Sequence, residues 1–190
     1  MAINSEKEVN MSNINYYNKS YFLDKGRAFT RSQKLSFSNQ KSIRKYDIFL
    51  SHSFKDKSII QGIYQELSNF GFVVYVDWIV EGEILDRIKV DKKTAETLKE
   101  RMNNSKCLIF ATSTNSLNSK WTPWELGYMD AKTGKCALLP IKESESDNFN
   151  GQEYFQLYPL IDKAKAKETK VDAIWVNELD TSKNLKSWIK

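Results

Sequence analysis

The sequence predicts an α/β domain in which a parallel sheet carries helices on both of its faces. Short apolar runs typical of buried strands alternate along the chain with segments whose apolar residues recur at helical spacing. Strands and helices that alternate in this way form βαβ units, which place the helices on the two faces of a parallel sheet. Hydrophobic residues make up 41% of the 190 residues, which is enough to build the core of such a domain.

The regular pattern begins at Tyr46 and continues to the end of the chain. The predicted strands are Tyr46–Leu50, Phe72–Val76, Cys107–Ala111, Cys136–Ile141 and Ala173–Val176. The predicted helices are Ile59–Leu67, Thr94–Asn103, Trp124–Ala131 and Leu179–Ile189. Gly71 and Gly134 follow the first and third helices, where glycine favours the left-handed conformation that ends many helices. Tyr154–Ile161 is apolar but contains Pro159, and its structure is left open.

Residues 1–45 differ from the rest of the chain in charge. They contain nine Lys or Arg residues and three Asp or Glu residues, whereas the whole chain has a net charge of only +5. The positive charge therefore belongs to this segment. We expect residues 1–45 to be a basic N-terminal extension that is partly disordered, above all over residues 1–15. Part of the remainder is expected to pack on the domain, which comprises residues 46–190, or on a neighbouring subunit.

Composition disfavours several classes of protein. A nearly neutral domain with a basic extension lacks the basic surface of a nucleic-acid-binding domain. No apolar run reaches the roughly 18 residues of a membrane helix, and the polar N-terminus does not resemble a signal peptide. We therefore expect a cytoplasmic protein that binds neither nucleic acid nor membranes. Cys107 and Cys136 lie in apolar runs and are predicted to be buried, reduced thiols.

The motifs of several enzyme classes are missing from the sequence. It contains no glycine-rich phosphate loop of the dinucleotide-binding or P-loop type. His52 is the only histidine, which disfavours a His-rich metal site and a Ser-His-Asp triad. Only Asp47 lies near the first strand and Ala111 ends the third, so the acidic cluster of a phosphorylated receiver domain is lacking. We expect no bound metal.

Polar and aromatic side chains collect where the predicted strands end. In α/β sheets, ligands bind outside the carboxyl ends of the strands, at the point where the strand order reverses. These ends are Ser51–Phe54, Tyr75–Trp78 and Thr112–Asn115, and Trp121–Glu125 follows the last of them. The helix that starts after the first of these ends favours an anion such as a phosphate beside its hydroxyl groups.

Glu125 is the candidate catalytic residue. Trp121 lies about one helical turn earlier, so its indole and the carboxylate can face one ligand, whereas Trp124 is expected to face the core. This pair suits a flat ring joined to a sugar, and a carboxylate stabilises the positive charge that develops at a sugar C1 when a glycosidic bond breaks. On spacing alone the commoner interpretation stays open. In that interpretation Glu125 only complements the helix dipole and both Trp residues belong to the core.

These residues resemble a known family, the TIR (Toll/interleukin-1 receptor) domains. Tyr46–Ser53 with Asp56-Lys57 resembles the opening strand and loop of the family. Tyr75–Asp77 resembles the second strand as it enters the BB loop. The pattern S-x-W-x-x-x-E is matched by Ser119, Trp121 and Glu125. Three such motifs in this order form a specific pattern. The resemblance covers residues 46–141 firmly and the C-terminal part loosely.

The resemblance implies a flavodoxin-like fold with a five-stranded parallel sheet. It implies that Glu125 cleaves NAD, which is a substrate and not a cofactor, to nicotinamide and ADP-ribose or a cyclic isomer. The residues that would hold the substrate are Ser51, His52, Ser53, Phe54, Asp77, Trp78 and Trp121. TIR enzymes commonly self-associate, so we expect weak or trigger-dependent activity in dilute solution. A short chain of this kind also resembles the TIR component of bacterial Thoeris antiphage defence, in which the nucleotide product activates a separate effector protein.

Two other functions remain open at this point. A non-catalytic TIR module would act only by assembling with other TIR domains, although such adaptors usually lack the glutamate that is present here as Glu125. A different nucleoside-processing enzyme on the same fold, such as a deoxyribosyl transferase, is the third interpretation.

Overall fold

The computed structural model describes residues 17–27, 45–80, 91–142, 153–179 and 181–190. The strands within these ranges are β1 (Tyr17–Asn18), β2 (Tyr46–Ser51), β3 (Val74–Tyr75), β4 (Ser105–Thr112), β5 (Cys136–Lys142), β6 (Leu160–Lys165), β7 (Asp172–Asn177) and β8 (Ser182–Asn184). The α-helices are α1 (Lys19–Arg27), α2 (Lys57–Asn69), α3 (Asp77–Val80), α4 (Lys92–Asn103), α5 (Thr122–Thr133) and α6 (Leu185–Trp188). Short 3-10 helices span Phe54–Asp56, Ser116–Asn118 and Glu153–Leu157. The disorder predicted over residues 1–15 concerns a segment outside these ranges.

The sheet is built around neighbouring parallel strands in the order β3-β2-β4-β5-β6. Counted along the chain, this is the order of flavodoxin-like sheets, in which the second strand lies outside the first and the others follow on the opposite side. β7 and β8 extend the sheet beyond β6, and both run antiparallel to their neighbours. The predicted α/β class is confirmed, but the sheet is mixed and has more strands than the five predicted.

The central elements lie close to their predicted positions. Each of α2, α4 and α5 begins two residues before its predicted start, because the first turn of a helix has polar residues that do not show the apolar period. Gly71 and Gly134 follow α2 and α5 with φ angles of +85° and +59°. Residues with a Cβ adopt these angles only with strain, so glycine ends both helices as predicted.

The segment before β7 differs from the prediction. The region around Pro159 forms a 3-10 helix followed by β6, which pairs with β5. The predicted strand Ala173–Val176 lies in β7, but it pairs antiparallel with β6 and is not a fifth parallel strand. The short connection explains this direction: the N–H of Ala166 donates to the carbonyl of Val171 at 2.9 Å, which closes a tight reversal. A parallel neighbour would require a long crossover.

The predicted helix Leu179–Ile189 is wrong in its first half. β8 occupies part of that segment and pairs with β7, and among the described residues of the segment only the four of α6 are α-helical. Asn184 begins the helix, because its side-chain oxygen accepts a hydrogen bond from the N–H of Lys186 at 2.9 Å. Leu185 and Ile189 are buried, so the helical spacing identified inward side chains although the helix is short.

Two apolar cores cover the two faces of the sheet. Side chains of α1, α2 and α6 pack on one face, and side chains of α4 and α5 pack on the other. β2 contributes to both: Ile48 and Leu50 belong to the first core, and Tyr46 and Phe49 to the second. The result is the layered arrangement that alternating strands and helices predict.

The described part of the N-terminal extension packs on the domain. α1 lies against α2, and β1 pairs parallel with Ile141 and Lys142 at the end of β5. Phe22 of α1 is buried in the first core. The helices approach so closely that a Cβ on Gly62 would lie 2.0 Å from the carbonyl oxygen of Phe22. Residues 17–27 are therefore part of the packed structure.

Glu66 of α2 is the polar centre of this helix contact. Its Oε1 accepts hydrogen bonds from the hydroxyl of Tyr21 at 2.7 Å and from Nζ of Lys163 at 3.0 Å, and its Oε2 lies 2.6 Å from Nζ of Lys25. Burial opposes the ionisation of Glu66, but these three donors outweigh it and hold the pKa of Glu66 below its ordinary value. The hydrogen bond to Glu66 in turn raises the pKa of Lys25.

The substitution Glu66→Gln should lower the free energy of unfolding by about 1–3 kcal/mol at neutral pH, because three donors lose a charged acceptor. Since the folded-state pKa of Glu66 is lowered, its contribution is complete above the unfolded-state pKa of about 4.3 and is lost as the pH falls through the folded-state pKa. Urea unfolding should therefore show the largest difference between wild type and Glu66→Gln at about pH 7 and a shrinking difference below about pH 4.

The matched control is Glu96→Gln. The side chain of Glu96 is 64% exposed and lies 3.8 Å from Nζ of Lys92, and such surface pairs contribute little. Its free energy of unfolding should stay within about 0.5 kcal/mol of wild type at each pH. A difference between wild type and Glu66→Gln that widens on acidification would contradict the predicted sign.

Cys107 and Cys136 are both free and buried, as predicted. Burial raises the pKa of both thiols, that of Cys136 to about 12, so neither forms a thiolate readily. The described residues contain no group of three or more His, Cys, Asp or Glu that could hold a metal ion. In the same part of the chain, no helix is long and apolar enough to cross a membrane.

Candidate active site

The candidate site lies where the strand order reverses, at the carboxyl ends of β2 and β4. β3 flanks β2 on one side and β4 flanks it on the other. Ser51 is the last residue of β2, in register with Phe110 of β4. α5 brings Glu125 to this point. Its first turn is closed by the N–H of Glu125, which donates to the carbonyl of Trp121 at 2.9 Å.

Glu125 and Ser51 are joined by a buried hydrogen bond. The Ser51 hydroxyl donates to Oε2 of Glu125 at 2.6 Å, between residues 74 positions apart in the sequence. Both residues are 0% exposed. A glutamate that only complements the helix dipole can remain in solvent, whereas a buried carboxylate loses its hydration and must be hydrogen-bonded. Burial and the Ser51 partner therefore favour a specific role for Glu125.

His52 links the end of β2 to the start of α3. Its Nδ1 lies 2.9 Å from the carbonyl of Leu50, and because a carbonyl only accepts, this nitrogen must carry a proton. Nε2 lies 3.3 Å from Oδ1 of Asp77, a close contact that lacks the alignment of a hydrogen bond. The same Oδ1 accepts from the N–H of Trp78 at 2.7 Å. Two predicted site residues, His52 and Asp77, thus contact each other in the interior.

Asp56 holds the loop after β2 to the loop after β4. Its buried carboxylate accepts hydrogen bonds from the hydroxyl of Ser113 and from the amide of Asn115, the latter at 2.6 Å. Ser53, just before it, accepts the N–H of Lys55 at 3.4 Å through its hydroxyl. The residues predicted to hold the substrate did not include Asp56, Ser113 or Asn115, although Thr112–Asn115 was one of the predicted strand ends and Asp56 belonged to a family motif. The sequence signal for this contact is an acidic residue directly after the loop that follows β2, together with hydroxyl and amide side chains in the loop that follows β4.

An anion was predicted at the start of the helix that follows β2. In the structure Asp56 occupies the N-cap position of α2, so a carboxylate lies at that helix end. The bound anion stays a prediction. A cation nearby would have to offset the negative charge of Asp56 before an anion could bind at this position.

Trp121 and Trp124 differ from the prediction in their burial. Trp121 and Glu125 do share one side of the helix, but that side faces the sheet together with Met129, and Trp121 is 6% exposed. Trp124 is only partly buried: it meets Trp121 edge to face with ring centroids 5.6 Å apart, and Tyr128 lies beside it at 6.0 Å. Trp124 nevertheless packs against the second core, so the prediction that it faces the core holds in part, whereas Trp121 is the more deeply buried of the two. The ligand contact predicted for Trp121 stays a prediction.

Phe54 and Trp78 flank one lysine. Nζ of Lys57 lies 3.9 Å from the ring centroid of Phe54 and 5.8 Å from that of Trp78. Phe54 is 45% exposed. The structure thus brings the predicted residues to one edge of the sheet: Ser51 with Glu125, His52 with Asp77, and Phe54 with Trp78 through Lys57.

Comparison with known proteins identifies the family of this chain. Residues 48–174 match the profile of the TIR domain family. The match covers more than half of the chain and includes both Ser51 and Glu125. The chain belongs to the TIR domain family. The family resemblance of the three sequence motifs is confirmed by this match.

Relatives of this TIR domain match it over different lengths. It is 41% identical over 178 residues to "Probable 3' cyclic ADP-D-ribose synthase ThsB'" of Bacillus cereus, which covers 93% of this chain and 92% of that protein. It is 33% identical over 107 residues to "NAD(+) hydrolase TirS" of Staphylococcus aureus, which covers 54% of this chain and 36% of that protein. A solved structure, the TIR domain of the Toll-related receptor TRR-2 of Hydra magnipapillata, shares 17% identity and a TM-score of 0.39 over 56% of this chain and 77% of that one.

Proposed function

We propose that this TIR domain is an NAD nucleosidase whose catalytic group is the carboxylate of Glu125. The observation that carries the proposal is the buried Ser51–Glu125 pair at the reversal point of the sheet, where α/β sheets bind their ligands. The relatives support it, since one is named as a cyclic ADP-D-ribose synthase and another as an NAD(+) hydrolase.

One carboxylate is sufficient for this chemistry. The bond between C1 of the ribose and the ring nitrogen of nicotinamide breaks, and its electron pair stays on the nitrogen, which loses its positive charge. The sugar becomes an oxocarbenium ion in the same step. Glu125 stabilises that positive charge, and Ser51 holds the carboxylate in place through its hydrogen bond of 2.6 Å. Nicotinamide leaves as a neutral molecule, so no strong general acid is needed.

The other predicted residues of the site, together with Ser51, bind the substrate in this proposal. The full set is Ser51, His52, Ser53, Phe54, Asp77, Trp78 and Trp121. The aromatic side chains offer ring faces, and the hydroxyl and carboxylate groups offer hydrogen bonds to the sugars. NAD is the substrate itself, so the reaction requires no additional cofactor.

The product is a cyclic isomer of ADP-ribose if a hydroxyl group of the same substrate attacks C1 and loses its proton, or if a ring nitrogen of the adenine attacks and the base then loses a proton. It is ADP-ribose if water attacks and loses a proton instead. The name of the 41% identical relative supports the cyclic route. By the same relationship, and by resemblance to Thoeris systems, we propose that the product is a cytoplasmic signal in antiviral defence. It would activate a separate effector protein.

Incubation of the purified protein with NAD tests the proposal. Chromatography should show nicotinamide together with a second product. Mass spectrometry of that product should give the mass of NAD less nicotinamide for a cyclic isomer, and one water more for ADP-ribose. No nicotinamide under any condition, including added crowding agent or cell lysate, would contradict the proposal and favour a non-catalytic module that acts by assembly.

The burial of Glu125 and Trp121 bears on self-association. The two residues are 0% and 6% exposed, so NAD reaches the carboxylate only when the side chains that cover it move. We propose that contacts between TIR domains produce this movement. The specific activity should then fall when the protein is diluted over a roughly 100-fold range, as mass action requires. A specific activity that is constant over that range would count against self-association.

A further inference from the structure

Lys57 forms a cluster with Phe54 and Trp78. Nζ of Lys57 lies 3.9 Å from the ring centroid of Phe54 and 5.8 Å from that of Trp78. Lys57 is the first residue of α2, shortly after Ser51, and Trp78 follows Asp77 at the start of α3. The cluster therefore lies at the same edge of the sheet as the Ser51–Glu125 pair.

Lys57 is exposed, and within the described part of the chain no carboxylate forms an ion pair with it. The ion pairs of the described residues do not include Lys57. Asp56, its neighbour in sequence, has its carboxylate bound by Ser113 and Asn115. The two ring faces attract the ammonium group without supplying a hydrogen-bond acceptor. Because Phe54 is 45% exposed, a ligand can reach the cluster from solvent.

A second donor of the cluster also lacks an acceptor. The indole N–H of Trp78 is buried and has no hydrogen-bond partner in the described part of the chain. A buried donor without an acceptor carries a free-energy cost. The ammonium group of Lys57 and the indole N–H of Trp78 therefore match a ligand with anionic oxygen atoms. Such oxygen atoms would accept hydrogen bonds from both donors after the two rings shift.

Buried carboxylates lie at the same edge of the sheet. They are Glu125, Asp56 and Asp77. These carboxylates suit sugar hydroxyls and a developing positive charge, but they repel phosphate groups. A dinucleotide substrate carries a diphosphate with two negative charges, which therefore requires a cation to offset this repulsion.

We propose that Lys57, supported by Phe54 and Trp78, binds the diphosphate of the dinucleotide and so selects dinucleotides over nucleosides with the same glycosidic bond. The inference rests on the proposed cleavage of NAD. The diphosphate does not change during that reaction, so its contact is equally strong in the bound substrate and in the transition state. Removing such a contact raises KM and leaves kcat nearly unchanged.

Steady-state kinetics with NAD test this role. Lys57→Met keeps the length of the side chain but removes its charge, and KM should rise about 10-fold while kcat stays within about two-fold. Lys57→Arg should recover most of the affinity because it restores a cation. Lys55→Met is the matched control, a lysine of the same loop for which the described residues offer no ring contact, and its KM should not change. An unchanged KM in Lys57→Met, a loss confined to kcat, or an equal loss in Lys55→Met would overturn the proposal.

Calorimetric titration separates this inference from the proposed function. ADP contains the diphosphate but no bond to cleave, and adenosine lacks the diphosphate. ADP should bind Lys57→Met about 10-fold more weakly than wild type, whereas adenosine should not distinguish the two proteins. If wild type releases no nicotinamide but ADP still distinguishes them, NAD cleavage fails and the diphosphate site stands. If NAD is cleaved but ADP binds both proteins equally, or neither, the diphosphate site fails.

Discussion

Glu125→Gln should lower kcat/KM for nicotinamide release from NAD on the order of 100-fold or more, the usual loss when a main electrostatic contact to a transition state is removed. Glutamine has the size of glutamate and can still accept the hydrogen bond from Ser51. The substitution therefore removes the negative charge that faces the oxocarbenium ion and little else. Chromatographic assay of nicotinamide measures the effect, and Glu125→Ala should be at least as impaired.

Stability and a surface control separate the charge of Glu125 from its place in the fold. Glu125→Gln should unfold at nearly the same urea concentration as wild type, since a neutral amide is easier to bury than a carboxylate. Glu96→Gln, at a position whose side chain is 64% exposed, should retain full activity. Nicotinamide release that survives in folded Glu125→Gln would remove Glu125 from the catalytic role while leaving NAD cleavage itself established.

Gly62→Ala should destabilise the fold by about 2–4 kcal/mol, or about 5–10 °C in Tm for a chain of this size. The new Cβ would lie 2.0 Å from the carbonyl oxygen and 2.7 Å from the carbonyl carbon of Phe22. Both are backbone atoms, so no side-chain rotation relieves the clash. α1 and α2 must separate, which exposes Phe22 and loosens the hydrogen bond between Tyr21 and Glu66.

Gly127→Ala is the control for Gly62→Ala because it makes the same change in another helix. A Cβ on Gly127 meets nothing within 4 Å, and alanine is favoured over glycine in a helix by about 1 kcal/mol. This variant should be more stable than wild type, whereas Gly62→Ala should be less stable and should lose hydrogen-exchange protection over residues 19–27. Equal stabilisation by the two substitutions would show that α1 does not approach α2 as described.

The Gly62 contact also bears on how far the packed structure extends. The family profile begins at residue 48, and α1 precedes it. Yet Phe22 lies in the apolar core and Tyr21 and Lys25 bind Glu66. A segment whose sequence shows only a basic charge and scattered aromatic residues thus contributes to the interior.

The amino-acid pattern alone predicts the fold class, the central helices and strands, and the family. α2, α4 and α5 each bury one side, and β2, β4 and β5 are buried runs, so their apolar periods are properties of the local chain. The family pattern is local as well, since Ser119, Trp121 and Glu125 lie within seven positions. Glu125 could be singled out as the candidate catalytic residue for the same reason.

The contacts between distant segments become visible only in the folded chain. Folding paired Glu125 with Ser51 across 74 positions, buried Trp121 more deeply than Trp124, and joined Lys57 to Phe54 and Trp78. It also made β7 an antiparallel neighbour of β6 and packed α1 on α2. These results depend on strand order, on turn length and on the approach of two helix backbones. The local apolar period records which side of an element is buried, but it does not record which partner covers that side.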